Sequence, residues 1–246
     1  LDHVGIVEHA IGSTPTARFG HCTDDAGRAL GLATELGSDR WSYSITRACL
    51  RQLAASQRSD GRFELRLDEA GRPTDDPPSD DSQARAAWGL AHTVTASLDR
   101  EARAVAARML AGLADFASPH ARAAAHAAMA GIVLLERDPD SYVGARLLDQ
   151  NAPTLPRPGL LTASNGWLWP EPRLTYGNGL IVEALLAVGA YRRDDLMRDD
   201  AMALLPIQVR ELAGRSERRQ AVNTSVDEIV HEACQHRRLD PPLLVD

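Results

Sequence analysis

The sequence predicts an all-α fold of repeated antiparallel helix hairpins, and three observations predict it. Alanine, leucine and arginine dominate, and aromatic residues make up only 4% of the 246 residues. That mix favours helices over a β-sandwich. Apolar residues recur at helical spacing along most of the chain. Helices open near residues 25, 81, 120 and 176, each followed by a second helix, with an irregular period of roughly forty to fifty-six residues. Such hairpins stack as an open solenoid or curl into a ring, where the N-termini of the inner helices surround one cavity.

The elements follow in order. Leu1 to Gly20 is a polar lead-in with little periodicity. The first helix is expected from about Asp25 to Leu36, with Ala26, Ala29, Leu30, Ala33 and Leu36 on one face and Gly37 as its stop. The second, about Ser42 to Ser56, turns Ile45, Cys49 and Leu53 inward. The connection between them is short enough to make them antiparallel neighbours. Phe63, Leu65 and Leu67 alternate with Glu64 and Arg66, which suits a short strand or hairpin arm. The third helix begins near Asp81 and buries Ala84, Ala87, Trp88 and Ala91. The fourth spans Leu98 to Phe116, with Ala102, Val105, Met109 and Leu113 on one stripe. Ser118 caps the fifth, with Pro119 at its first position, and that helix runs to about Glu136. A short sixth covers Tyr142 to Leu148.

Asn151 to Pro172 is a long loop rich in proline and glycine, a length that is often functional. The seventh helix covers about Asn178 to Tyr191 and the eighth about Asp194 to Leu205, where Pro206 breaks or kinks the pattern. Residues 1–205 therefore read as the hairpin domain and 206–246 as a weakly patterned C-terminal segment, with one more helix over Ser225 to His236.

Composition narrows the function. The net charge is -7, which argues against a nucleic-acid coat. All 27 basic residues are arginine, so Schiff-base chemistry and a P-loop lysine are excluded. Cys22, Cys49 and Cys234 are odd in number and have no short spacing, which suits a reduced, cytoplasmic compartment. No run approaches the ~18 apolar residues of a bilayer span and no signal-peptide pattern opens the chain, so no membrane partner is expected.

Three clusters carry chemistry. Asp24 and Asp25 open the first helix with Arg28 one turn on, and Asp80 and Asp81 repeat the pattern with Arg85. These aspartates either cap helix amides or face a cavity as acid, base or sugar ligand, oriented by the arginines. The third cluster holds Trp167, Trp169 and Glu171, followed by Tyr176 and Asn178. Aromatic faces suit the apolar faces of sugar rings, and Glu171 is a candidate general acid or base. The same tryptophans, and Trp88, are otherwise core. His9, His21 and His120 with Cys22 fit no strong metal motif, so neither metal nor cofactor is expected.

Several segments match one family in order over residues 3 to 205. They are Gly5-Ile6-Val7-Glu8-His9-Ala10, Gly20-His21-Cys22-Thr23-Asp24-Asp25-Ala26-Gly27-Arg28-Ala29-Leu30, Ser79-Asp80-Asp81 through Trp88-Gly89-Leu90, Ser118-Pro119-His120, and Trp169-Pro170 with Leu174-Thr175-Tyr176-Gly177-Asn178. They resemble a bacterial family of α/α-toroid proteins, often found with or described as glycosyltransferases, whose fold is similar to six-hairpin glycosidases. Ala26 stands where that family has asparagine and Gly177 where it has aspartate. The resemblance implies a toroid-like array, incomplete here because about eight or nine helices are countable.

The expected function is that of a carbohydrate-active, glycoside hydrolase-like protein whose paired carboxylates act on a glycan or small sugar. Asp25 and Asp81 are the first candidates and Glu171 the third. Asp24, Arg28, Asp80, Arg85, His120, Trp167, Trp169, Tyr176 and Asn178 would bind substrate. The alternative is a non-catalytic glycan-binding protein, or a scaffold for a glycosyltransferase partner. Terpene-cyclase and zinc lanthionine-cyclase chemistries fit the low aromatic content and missing Cys-His motifs less well.

Overall fold

The computed structural model describes residues 1–37, 39–157, 169–171 and 174–218, with side chains described through residue 206. Eight α-helices form among these residues: α1 (Thr23–Glu35), α2 (Arg40–Ser56), α3 (Asp80–Ala96), α4 (Arg100–Ala111), α5 (Ala121–Arg137), α6 (Tyr142–Asn151), α7 (Asn178–Arg192) and α8 (Asp195–Arg218). Each odd-numbered helix packs on the even-numbered helix that follows it. The odd helices also pack side by side in the order α1, α3, α5, α7, so they form an inner row with the even helices as the outer layer. The protein is predominantly helical, as its sequence predicts, and none of the described helices is long and apolar enough to cross a membrane.

The two rows start differently. Asp39 accepts from the Ser42 amide to cap α2, Asp99 caps α4, and Ser141 caps α6. Asp194 accepts from the Met197 amide in the first turn of α8. The inner helices have no side-chain cap bond: the residues before them are Cys22, Ser79, His120 and Gly177. Asp24, Asp25, Asp80 and Asp81 lie inside the first turns of α1 and α3 rather than at the cap positions. The capping role considered for them is thus absent, although their charges still favour the positive end of each helix dipole.

The inner row is held close by glycine. A Cβ on Gly89 would lie 2.2 Å from the Gly27 carbonyl oxygen, so α3 and α1 touch backbone to backbone. A Cβ on Gly31 would lie 2.1 Å from the Trp88 ring, which uses that space. Gly131 and Gly144 play the same part between α5 and α6. Two apolar clusters result, with α5 contributing to both. Leu30, Leu53, Leu90 and Leu110 fill one around α1 to α4, and Ile181, Leu185 and Leu204 fill the other around α7 and α8.

The lead-in is more ordered than its polar sequence predicts. His9–Ile11 (β1) and Thr14–Thr16 (β2) form an antiparallel hairpin, turned at Gly12 with its φ of 60°. His21–Cys22 (β3) pairs with Arg66–Leu67 (β4), so the expected alternating strand is reduced to two residues. Several boundaries also differ. Leu36 is 41% exposed rather than core. α4 stops at Ala111, where Gly112 meets Gly61 so closely that a Cβ on Gly61 would lie 2.6 Å from the Gly112 Cα. Ser118 does not cap α5: it precedes the helix, accepting from the His120 amide at 3.1 Å. α8 continues through Pro206. Met202, whose carbonyl the proline ring displaces, and Pro206 both face solvent, where the lost bond costs least. The helix expected over Ser225 to His236 lies outside the described residues.

Gln52, fully buried on α2, ties the lead-in to this body. Its amide accepts from the Ile6 amide and donates to the Cys22 carbonyl, both at 2.9 Å. Gln52→Leu should leave both backbone groups unpaired and cost roughly 1–3 kcal/mol. Amide exchange at Ile6 should quicken more than exchange in α5. An unchanged Ile6 rate would show that the tie carries no load.

Candidate functional site

The inner helices begin at one end of the molecule, and their first turns meet there through side chains. Arg85 of α3 donates from Nη1 to Asp24 Oδ2 of α1 at 2.6 Å, and its Nη2 lies 3.5 Å from Asp81 Oδ2. Arg28 pairs with Asp24 at 3.4 Å and with Asp25 more closely. Asp81 also accepts from the Tyr176 hydroxyl at 2.7 Å, which reaches over from the approach to α7. Asp80 turns the other way and accepts from Ser118 Oγ at 2.7 Å. The doublets thus divide their labour: Asp24, Asp25 and Asp81 share one cluster, and Asp80 fixes the approach to α5.

Arg122 organises the second half. Its guanidinium meets Glu171 Oε1 at 2.6 Å and Oε2 at 2.8 Å. It also donates to Thr175 Oγ1, to Asn178 Oδ1 at 3.0 Å and to the Tyr176 carbonyl. Its carbon centre lies 4.8 Å from the middle of the Tyr176 ring, with Arg85 at 6.0 Å from the same ring. Tyr176 is therefore clasped by two arginines and anchored to Asp81, while 55% exposed.

The electrostatics separate the acids. Burial pushes Asp24 upward, but the Cys22 thiol, Arg28 and Arg85 outweigh it and hold this carboxyl below the usual range. Asp25 is raised, first by burial and then by the Asp24 charge. Adjacent acids whose proton affinities are driven apart are the pattern of a proton donor beside a carboxylate that stays ionised. Glu171 is lowered, chiefly by its hydrogen bonds from Arg122. A two-pronged arginine pair of this kind makes it an anchor and a poor proton donor, against its candidacy as general acid.

Trp169 is 2% exposed and packs in the core beside α7 and α8, its indole N–H 3.3 Å from Glu171. A buried ring offers no face to a sugar, so its expected stacking role gives way to a packing role. Trp167 lies outside the described residues. Asn178 bonds Thr175 and Arg122 at the start of α7. His120 is exposed at the start of α5 and contributes its backbone amide to Ser118. His9 stacks edge-on against Phe19, and buried His21 bonds Asp2 at 2.9 Å, so the structure does not gather the histidines.

Ligand atoms of Cys22, Asp24 and Asp25 lie within 4.8 Å of one another. The Cys22 thiol nonetheless donates to Asp24 at 2.7 Å, and burial pushes it up to about 12. Both aspartates are already matched by arginine.

Two contributors escape the sequence patterns, and a third, Trp88, joins them. Arg122 and His126 are the polar residues of α5 between Ala121 and Val133, one turn apart on a helix that is otherwise alanine-rich and apolar. That break in an apolar helix was the available signal. Half-buried Trp88 stands on the same face of α3 as Arg85 and His92, its ring centre 4.6 Å from His92 and 6.1 Å from His126. No model of a known protein family matches the chain, and a search of curated proteins finds no match to it either.

Proposed function

We propose that the cluster of Asp24, Asp25, Asp81, Arg85 and Tyr176 is the site of a carbohydrate-active protein of glycoside hydrolase type, acting on a glycan or small sugar in a reducing, cytoplasmic setting. One observation carries this: the two amino nitrogens of Arg85 hold carboxylates from α1 and α3 together. Those two, Asp24 and Asp81, fall within the ~9.5 Å that two-carboxylate chemistry spans, and Arg28 ties Asp25 to Asp24 beside them. Asp25, with its raised proton affinity, is the proton donor to the leaving oxygen. Asp81, positioned by Tyr176 and Arg85, is the base or nucleophile. A separation of ~5–5.5 Å would give retention and ~6.5–9.5 Å inversion.

The test is hydrolysis of a panel of aryl glycosides and oligosaccharides. Asp25→Asn and Asp81→Asn should each lower turnover by at least ~100-fold without changing the far-ultraviolet spectrum. The rate should fall as pH rises through Asp25, because the donor loses its proton there. Hydrolysis that survives both substitutions would sink the assignment.

The pairing of each candidate acid with arginine or tyrosine favours a second reading, in which the toroid-like array binds glycan without turnover, beside a glycosyltransferase. Gly177, where the resembled family has aspartate, adds to it. Sugar binding that persists in Asp25→Asn, with no product formed by the unaltered protein, would select this reading.

A further inference from the structure

Among the described residues, two buried side-chain polar atoms have no hydrogen-bonding protein group: Arg85 Nε and His126 Nδ1. They lie on neighbouring inner helices, α3 and α5, and Arg85 is among the charges that act on His126. Trp88 stands beside both, one turn along from Arg85 and 6.1 Å from His126. Leaving two such groups unpaired is costly unless something else satisfies them.

We propose that Arg85 Nε and His126 Nδ1 form a hydroxyl-recognising subsite, walled by Trp88, for a sugar or other polyol. This rests on the carbohydrate reading above and extends it to named contacts. Arg85 Nε–H can only donate. His126 is held neutral, first by burial and then by Arg85, its pKa lowered to about 4, so Nδ1 can accept. A hydroxyl oxygen accepts from the first and donates to the second. An anion would also take the arginine proton, but a deprotonated anion has no proton to give Nδ1, whereas a hydroxyl serves both atoms. The Trp88 ring supplies the apolar wall against which sugar C–H faces pack.

The experiment follows the His126 imidazole nitrogens by NMR in the full chain. Glucose, galactose, mannose and N-acetylglucosamine are added in turn, then sorbitol, then sulfate, with tryptophan fluorescence recorded in parallel. At least one sugar should shift His126 Nδ1, and His126→Phe should weaken that sugar by about five- to tenfold, the value of one neutral hydrogen bond. His126→Gln, which keeps an acceptor, should restore part of the loss. A sugar that binds while His126 stays unmoved overturns the subsite and leaves the carbohydrate reading standing. A shift with sorbitol alone supports the subsite and sinks the carbohydrate reading. A shift with sulfate alone, or no shift with any of these additions, overturns the subsite.

Discussion

Gly89→Val should destabilise the protein by about 3 kcal/mol or more, because overpacking against backbone has no side chain to push aside. The added Cβ would lie 2.2 Å from the Gly27 carbonyl oxygen and 2.9 Å from its carbonyl carbon. Relief requires α3 to move away from α1. That movement also stretches the Arg85 link between Asp24 and Asp81, so the variant should lose function before it unfolds. Gly179→Ala is the control: no atom lies within 4 Å of its added Cβ, and the change should be neutral or stabilising by up to ~1 kcal/mol. Urea denaturation of both proteins measures the contrast. Equal midpoints would show that the two helices are not locked at this contact.

Arg122→Met should cost roughly 1.5–3 kcal/mol, the scale for losing hydrogen bonds to a charged group, because Glu171 is 32% exposed. The Arg122 side chain is 9% exposed, and its loss takes one partner from each of Glu171, the Tyr176 carbonyl and Asn178 Oδ1. The approach to α7 then loses its anchor, and Tyr176 its hold on Asp81. Arg28→Met is the contrast. That side chain is 57% exposed, and surface pairs are worth ~0–1 kcal/mol. The pH dependence has a definite sign. Glu171 is depressed in the folded state, so its stabilisation is present above the ordinary glutamate range and is lost as pH falls through the folded value. Arg122→Met should flatten that acid limb in denaturation curves taken between neutral and acidic pH. An unaltered limb would assign the acid sensitivity to other carboxylates.

Much of this layout was legible because helices announce themselves by period. The stripe Ala26, Ala29, Leu30 and Ala33 is buried as expected, and the four hairpins follow from such stripes. The ends were less legible, since Leu36 and Gly112 depend on neighbours far along the chain. The β1–β2 hairpin is exposed along β1, so no apolar alternation marked it. At the site, the aspartate doublets stood out as pairs. Arg122 was a single residue in an alanine-rich helix, and its importance comes from partners about fifty positions later. Trp169 read as a loop residue because nothing local revealed that its ring turns inward.

The unequal helix starts carry a consequence for how the chain assembles. The outer helices hold their own start signals within three residues of sequence, so each can nucleate from local information. The inner helices take their starts from one another: α1 through Arg85, α3 through Tyr176, and α5 through Glu171. Their shared end should therefore be completed last, when the four hairpins have docked, and slow exchange protection there in refolding would show it. By the same logic, amide exchange should be faster in the first turns of α1, α3 and α5 than at the capped starts of α2, α4 and α6. The end that gathers the acids thus depends on contacts between helices and not on local caps.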